Sequence, residues 1–382
     1  MKLFSKKTFE YFLVVLLLIL SGNPIITASP KIREIYIIVA ISVFIIDFYS
    51  YKLSLQKKFF LYVLPFVLIS VCQLVFLNVT FSSALFFLIK VYIGYSIIKR
   101  LGTNFMVTYS NVMSLVAFIS LPLYLYNSLY GIIPGKPISD VCVSLGVYTE
   151  LFNETSGFIG RNSGMFWEPG AFQGYLNIAI AFTLLLPEIS KRNLKLIILC
   201  LAVITTKSTT GYLVLFVVIF YYILFLSRAT MFTRMISLFF FTIVAVYILF
   251  SLDFLHEKIM NEFAGSSYSY KEGRVYDYVR FKSLIRENFL FGMSDQVADK
   301  AYTGNGFLSF LLYYGIFGIV NYCAMLWYNY KRQVTTSVAI YIIAVILLSL
   351  QGEGFIYYPL YLALPLVSLD KNLLTIRSAY SY

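Results

Sequence analysis

The stretch Phe59-Phe60-Leu61-Tyr62-Val63-Leu64-Pro65-Phe66-Val67-Leu68-Ile69-Ser70-Val71-Cys72-Gln73-Leu74-Val75-Phe76-Leu77 runs without a single charge, directly after Lys57-Lys58. As a helix rising about 1.5 Å per residue it would be about 28 Å long, close to the ~30 Å hydrocarbon core of a bilayer. Runs of the same kind recur from one end of the 382 residues to the other. The chain is 60% hydrophobic and only 13% charged, with a mean hydropathy of +0.80. A soluble domain carries about a quarter charged residues, because its surface must be solvated; here the solvent has to be lipid. Long apolar runs, rather than alternating segments of ~10 residues, point to helices and not to an outer-membrane barrel.

The expected class is therefore all-α, a polytopic integral membrane protein. The runs fall at 9–28, 35–50, 59–77, 81–98, 106–130, 170–187, 194–206, 210–227, 234–252, 305–328, 335–350 and 354–369. That makes about twelve spans. Residues 1–382 read as one membrane domain, with no repeat, low-complexity segment or soluble domain. Ser21-Gly22-Asn23-Pro24 interrupts the first run and predicts a kink. That run resembles a signal sequence but lacks a clean cleavage site, so it reads as a retained first helix.

Positively charged residues tend to stay on the cytoplasmic side of a membrane, and this bias supplies the orientation. With the amino terminus inside, seven inner segments hold at least two basic residues each, among them Lys57 and Lys58, Lys99 and Arg100, Lys191, Arg192 and Lys195, and Lys331 and Arg332. Lys31 and Arg33 lie outside, against the rule. Both termini are then cytoplasmic, and two large loops, 131–169 and 253–304, lie outside. The net charge of +12 is spread between apolar runs rather than gathered in one patch, which argues against nucleic acid. Four cysteines, three of them in apolar runs, give no disulfide framework.

Polar chemistry concentrates on the two outer loops, which read as a cap over an active site. In Gly157-Phe158-Ile159-Gly160-Arg161-Asn162-Ser163-Gly164-Met165-Phe166-Trp167-Glu168-Pro169-Gly170, Pro169 suits the first position of a helix, where its missing N–H is not needed. Glu168 then stands at the cap, at the positive end of the helix dipole, with Arg161 able to fold back over it. Such a place suits a phosphate or a sugar hydroxyl. The plain alternative is a structural Arg161–Glu168 pair that caps the helix. In the second loop, Val275, Tyr278, Phe281, Ile285 and Phe289 keep helical spacing and predict one docked stripe. Arg274 falls within the stripe, where a buried charge requires an anionic partner. Arg280 falls nearly opposite, beside Asp277.

Lys207, in the turn Lys207-Ser208-Thr209-Thr210-Gly211, is suited either to a phosphate or to lipid headgroups. Glu353, in Gln351-Gly352-Glu353-Gly354, reads as a surface residue. Asp47 and Lys90 fall inside predicted helices, Asp47 near enough to the inner boundary to be solvated and Lys90 able to snorkel. His256 is the sole histidine and reads as a headgroup contact. The tyrosines and phenylalanines read mainly as interfacial belts. HExxH, paired CxxC and GxxxxGK are absent from the sequence, so neither a metal nor a nucleotide cofactor is expected.

Taken in order, these motifs resemble the bacterial O-antigen and capsular repeat-unit polymerases, the Wzy-type family of the O-antigen ligase and polymerase superfamily. The resemblance rests on Arg161 to Gly170, read as R-x-x-G-x-F-x-E-P-G, on Ser208-Thr209-Thr210-Gly211, and on Gly273-Arg274. It continues through Phe289-x-Phe291-Gly292 and Gly304-Asn305-Gly306-Phe307-Leu308 into Tyr314-Gly315-Ile316-Phe317-Gly318. It covers roughly 157–318 and is matched only in topology before that. The resemblance implies a GT-C-like membrane fold in a bacterial inner membrane. It also implies a metal-independent glycosyltransferase that moves a growing glycan from undecaprenyl diphosphate onto the next lipid-linked repeat unit, for lipopolysaccharide or capsule. A flippase and a chain-length regulator would be its partners, and outer-loop arginines would hold the diphosphate.

An activated sugar diphosphate needs no ATP, only cations where charge grows on the leaving group. Arg161 and Arg274 are expected in that role, Glu168 as base for the acceptor, and Arg280, Lys207 and Asn305 in substrate binding. O-antigen ligases carry a histidine before the asparagine that opens the helix after the second loop; here that position is Gly304-Asn305, which favours polymerase. A lipid-linked oligosaccharide flippase is the alternative from a different class, but such transporters show internal repeats and polar groups on broken helices at mid-membrane.

Overall fold

The computed structural model describes residues 5–49, 55–77, 81–131, 134–139, 142–151, 160–186, 189–227, 229–251, 274–293 and 303–369. Fifteen α-helices are named in chain order. They are α1 (Lys6–Leu20), α2 (Pro24–Thr27), α3 (Ile32–Tyr49), α4 (Lys57–Phe76), α5 (Phe81–Leu101), α6 (Phe105–Tyr130), α7 (Pro169–Leu185), α8 (Arg192–Thr205), α9 (Thr209–Tyr221), α10 (Met231–Ser251), α11 (Arg274–Arg280), α12 (Lys282–Glu287), α13 (Gly306–Gln333), α14 (Thr336–Leu350) and α15 (Pro359–Ala363). Four helical stretches among the described residues are long and apolar enough to cross a membrane: Lys57–Phe76, Phe81–Tyr130, Thr209–Leu226 and Gly306–Gln333. Met231–Ile243 and Thr336–Leu350 are shorter and equally apolar. Large apolar side chains such as Phe48, Leu64, Phe118, Phe232, Phe239 and Val320 stand on the outside of the bundle, the inverse of a water-soluble surface.

At the centre is α7, buried at every position but Leu184. A helix apolar all round can only be wrapped by others, and α6, α8, α9 and α14 enclose it. Many tyrosines lie here rather than at the interfaces, and their hydroxyls satisfy main-chain carbonyls across helices. Tyr109 donates to Tyr175 O at 3.0 Å, Tyr36 to Leu20 O, and Tyr175 to Ser21 O. Interfacial belts therefore do not account for these buried tyrosines.

Three more expectations change. Ser21-Gly22-Asn23-Pro24 is a full break, since Asn23 caps a new helix whose first residue is Pro24. The exposed carbonyls and amides of the break then become anchors for other segments. Loop 131–169 is not without sheet: Lys136–Ser139 (β1), Cys142–Ser144 (β2) and Thr149–Leu151 (β3) form an antiparallel sheet in that order. Third, the run at 354–369 is no continuous helix. Its prolines divide it into 3-10 turns at Phe355–Tyr357 and Leu364–Leu366 around the short α15, although it is buried throughout its middle. Irregular backbone at such depth survives only if other groups satisfy it. Tyr322 donates to Tyr361 O at 3.0 Å, Tyr330 to Leu364 O at 2.9 Å, Asn329 to Val367 O at 2.7 Å and Lys58 to Leu366 O at 2.9 Å.

Within α13 the helix breaks at Gly315, whose φ of 63° is open to glycine and costly for other residues. The peptide groups freed there are taken by the segment after α12. Ile316 N–H donates to Phe289 O at 2.8 Å, Met293 N–H to Leu312 O at 2.8 Å, and Gln73 Nε2 reaches both Phe291 O and Tyr313 O at 2.6 Å. The motifs around Gly292 and Gly315 thus fold onto one another.

Candidate functional site

One end of the bundle gathers the starts of three helices. At α7, Glu168 is the cap and Pro169 the first helical residue, as the sequence predicts. At α9, Ser208 Oγ accepts from Gly211 N–H, and at α13, Asn305 Oδ1 accepts from Phe307 and Leu308 N–H at 3.0 Å each. The turn Gln351–Gly354 is wedged among them. Its Glu353 carboxylate lies against Gly170, its Gly352 against Gln173 and Thr210, and the Glu353 carbonyl against Gly306. Each helix start presents partly positive N–H groups, some of which Ser208 and Asn305 already satisfy, and the ends of α8 and α14 lie beside them.

Two basic side chains add to it. Arg161 Nε donates to Thr206 O at 2.9 Å, the last turn of α8. Asn162 N–H donates to Thr205 O at 3.0 Å and Asn162 Nδ2 to Thr205 Oγ1 at 2.9 Å, so the Gly160–Asn162 segment lies along the α8–α9 turn. Lys207, left-handed at φ 48° in that turn, brings Nζ to the Gly160 side. Arg161 and Lys207 therefore meet on one turn, which the sequence did not foresee. Glu168 goes elsewhere: Oε1 accepts from Trp167 Nε1 at 2.8 Å. The Arg161–Glu168 cap pair is not formed, because the intervening loop is drawn to the α1–α2 break. Asn23 Nδ2 donates to Met165 O at 3.1 Å, and Trp167 N–H to Gly22 O at 3.1 Å.

A cavity of about 310 Å³ opens beside these helix starts, lined by Thr210, Leu213, Val214 and Val217 of α9, Leu348 and Gln351 of α14 and its turn, Asn305 and Tyr278. Its wall is apolar along α9 and polar at the rim, where Asn305 Nδ2 donates to Gln351 Oε1 at 3.0 Å. Asn305 thus spends its amide on the α13 cap and this rim contact rather than presenting it whole to a substrate. Tyr278 is 39% exposed, yet its hydroxyl turns inward; burial pushes that hydroxyl up, partly offset by a hydrogen bond with Asn305.

The single stripe predicted for the second loop is divided. Phe281 interrupts the helix between α11 and α12 and docks with Leu284, Ile285, Leu308 and Leu312, while Tyr278 and Phe289 stay exposed. Arg274 is the first residue of α11; its side chain, and all of 252–273 with His256, lie outside the described residues. Arg280 is exposed and sits 5.0 Å over the Phe281 ring, as expected of a solvated side.

Other expectations are overturned by burial. Glu353 is 7% exposed rather than a surface residue. Asp47 is not solvated: it is 4% exposed, pairs with Arg100 at 2.5 Å and accepts from Ser96 Oγ. Lys90 holds its ammonium 4.3 Å from the Phe86 ring centre. The ties made by Asn23 and Asn162 are not foreseen from the sequence, because nothing local distinguishes an asparagine that ties two loops from one facing solvent. No family model matches the chain, and no curated protein or solved structure matches it either.

Proposed function

We propose that the chain polymerises lipid-linked oligosaccharide repeat units at the outer face of a bacterial inner membrane, with about twelve spans in a GT-C-like arrangement. The observation that carries this reading is the gathering of three helix starts, Arg161 and Lys207 at one end of an apolar bundle, beside a cavity with an apolar wall. A polyprenyl diphosphate has the same division: an anion that needs N–H groups and cations, and a chain that needs apolar surface. In the transfer, the acceptor hydroxyl oxygen bonds to the anomeric carbon while the bond from that carbon to the diphosphate oxygen breaks. The negative charge that grows on the diphosphate is met by Arg161, Lys207 and the helix starts, and the family resemblance assigns Arg274 the same role. A carboxylate at the start of α7 takes the acceptor proton.

The break in α13 does not favour a transporter, since its freed peptide groups are bonded to residues 289–293 rather than turned to a mid-membrane cavity. The test is the purified chain incubated with lipid-linked repeat units: a ladder of chain lengths is expected. In a deletion strain, surface glycan of one repeat unit per core supports polymerase, unattached polymer makes it a ligase, and loss of all lipid-linked export makes it a flippase. Orientation is checked separately, with a reporter active only outside the cytoplasm: it should work near Gly146 and fail near Arg192.

A further inference from the structure

Two carboxylates share the first turn of α7, and the polymerase reading leaves open which of them handles the acceptor proton. Glu168 is partly exposed and engaged by the Trp167 indole. Glu353 comes from the far side of the sequence and is buried; its carboxylate is pressed against Gly170, where any Cβ would overlap it. The turn that carries it also supplies Gln351 to the cavity rim.

A second feature marks the same spot. One turn along that face of α7, Gln173 is completely buried, and its Nε2 has no hydrogen-bond partner. Its carbonyl oxygen accepts from Asn177 Nδ2 at 3.0 Å, and that amide also donates to Gly211 O at 3.2 Å. The unsatisfied Nε2 faces Gly352, the neighbour of Glu353, where a side chain would come within 2.6 Å of it. Buried donors are nearly always paired, so an unpaired one against the turn that carries a buried carboxylate points to a missing oxygen ligand. A sugar hydroxyl is the oxygen ligand that the polymerase reading supplies.

We propose that Glu353, rather than Glu168, takes the proton of the attacking acceptor hydroxyl, with Gln173 Nε2 holding that hydroxyl's oxygen. The proposal rests on the polymerase reading. As the oxygen forms its bond to the anomeric carbon, its proton passes to the Glu353 carboxylate and the electron pair of the broken bond leaves on the diphosphate.

The experiment compares wild type, Glu353→Gln, Glu168→Gln and Gly170→Ala, each purified and given lipid-linked repeat units across a pH series. Glu353→Gln should lower turnover about a hundredfold or more while binding of the lipid-linked unit is kept, and it should abolish the acid limb of the rate profile. Glu168→Gln should retain that limb. Gly170→Ala, which displaces the carboxylate without removing it, should reproduce the turnover loss. Turnover within about threefold of wild type and an unchanged profile in Glu353→Gln overturns the proposal, as does a loss of binding equal to the loss of turnover. Should Glu353→Gln not accumulate, normal turnover in Gly170→Ala overturns it instead. A wild-type chain that makes no polymer sinks the polymerase reading itself, a result distinct from all of these.

Discussion

The two ends of the bundle use the same kinds of residue for opposite purposes. At the end that holds Arg192, α7 and the stretch that follows α9 finish, and cations are taken up by their last carbonyls. Arg192 reaches Leu184 O at 2.8 Å and Thr183 O at 3.2 Å; Arg234 reaches Ser227 O at 2.5 Å and Leu224 O at 3.1 Å. Arg100 is matched by Asp47. At the other end α7, α9 and α13 begin, while α8 and α14 finish. There Arg161 donates to Thr206 O at the end of α8, and Lys207 lies in the α8–α9 turn beside Gly160. A count of basic residues reads the first end as topology, and it is also helix capping. The second end carries the cations that the proposed polymerase would turn to a diphosphate.

Breaking the ion pair at the first end should have the largest effect. Asp47→Asn leaves Arg100 charged and buried, which costs about 3–5 kcal/mol. Thermal unfolding in detergent should show it, while polymer formed per folded molecule stays near wild type. Arg161→Lys should do the reverse: normal unfolding, but about a hundredfold less polymer, or about 3 kcal/mol, because an ammonium cannot offer two parallel donors to a diphosphate. If Arg161→Lys instead lowers stability and leaves turnover intact, the two ends do not differ as described. Gly315→Ala tests the seam between them. A methyl at φ 63° against Leu290 O should cost about 1–3 kcal/mol, read as a lower unfolding midpoint. Arg280→Lys should be the mildest, within about 0.5 kcal/mol in stability, since the exposed side chain only stacks on Phe281.

Much of the fold was legible because helix ends are local. Pro169 and Glu168 mark the start of α7, and Asn305 that of α13, from their own chemistry. Glu353 was misread for the opposite reason. Gly352 and Gly354 beside it suggest an exposed turn, and only the distant Gly170 and Gly306, which leave room for the turn to enter, show that it is buried. Asp47 was misread similarly, since Arg100 belongs to another helix. The run at 354–369 was apolar enough to look like a span, but hydropathy does not register that Pro359 and Pro365 divide it.

That divided segment has a consequence for how the chain is built. A continuous helix can enter a bilayer alone, because it satisfies its own peptide groups. Residues 355–367 cannot: the carbonyls of Tyr361, Leu364, Leu366 and Val367 depend on Tyr322, Tyr330 and Asn329 of α13 and Lys58 of α4. The segment therefore settles only after those helices are inserted and side by side, as the closing step of assembly. A chain arrested before Gln351 would leave these donors facing lipid with nothing to bind, and the turn that carries Glu353 would never reach α7.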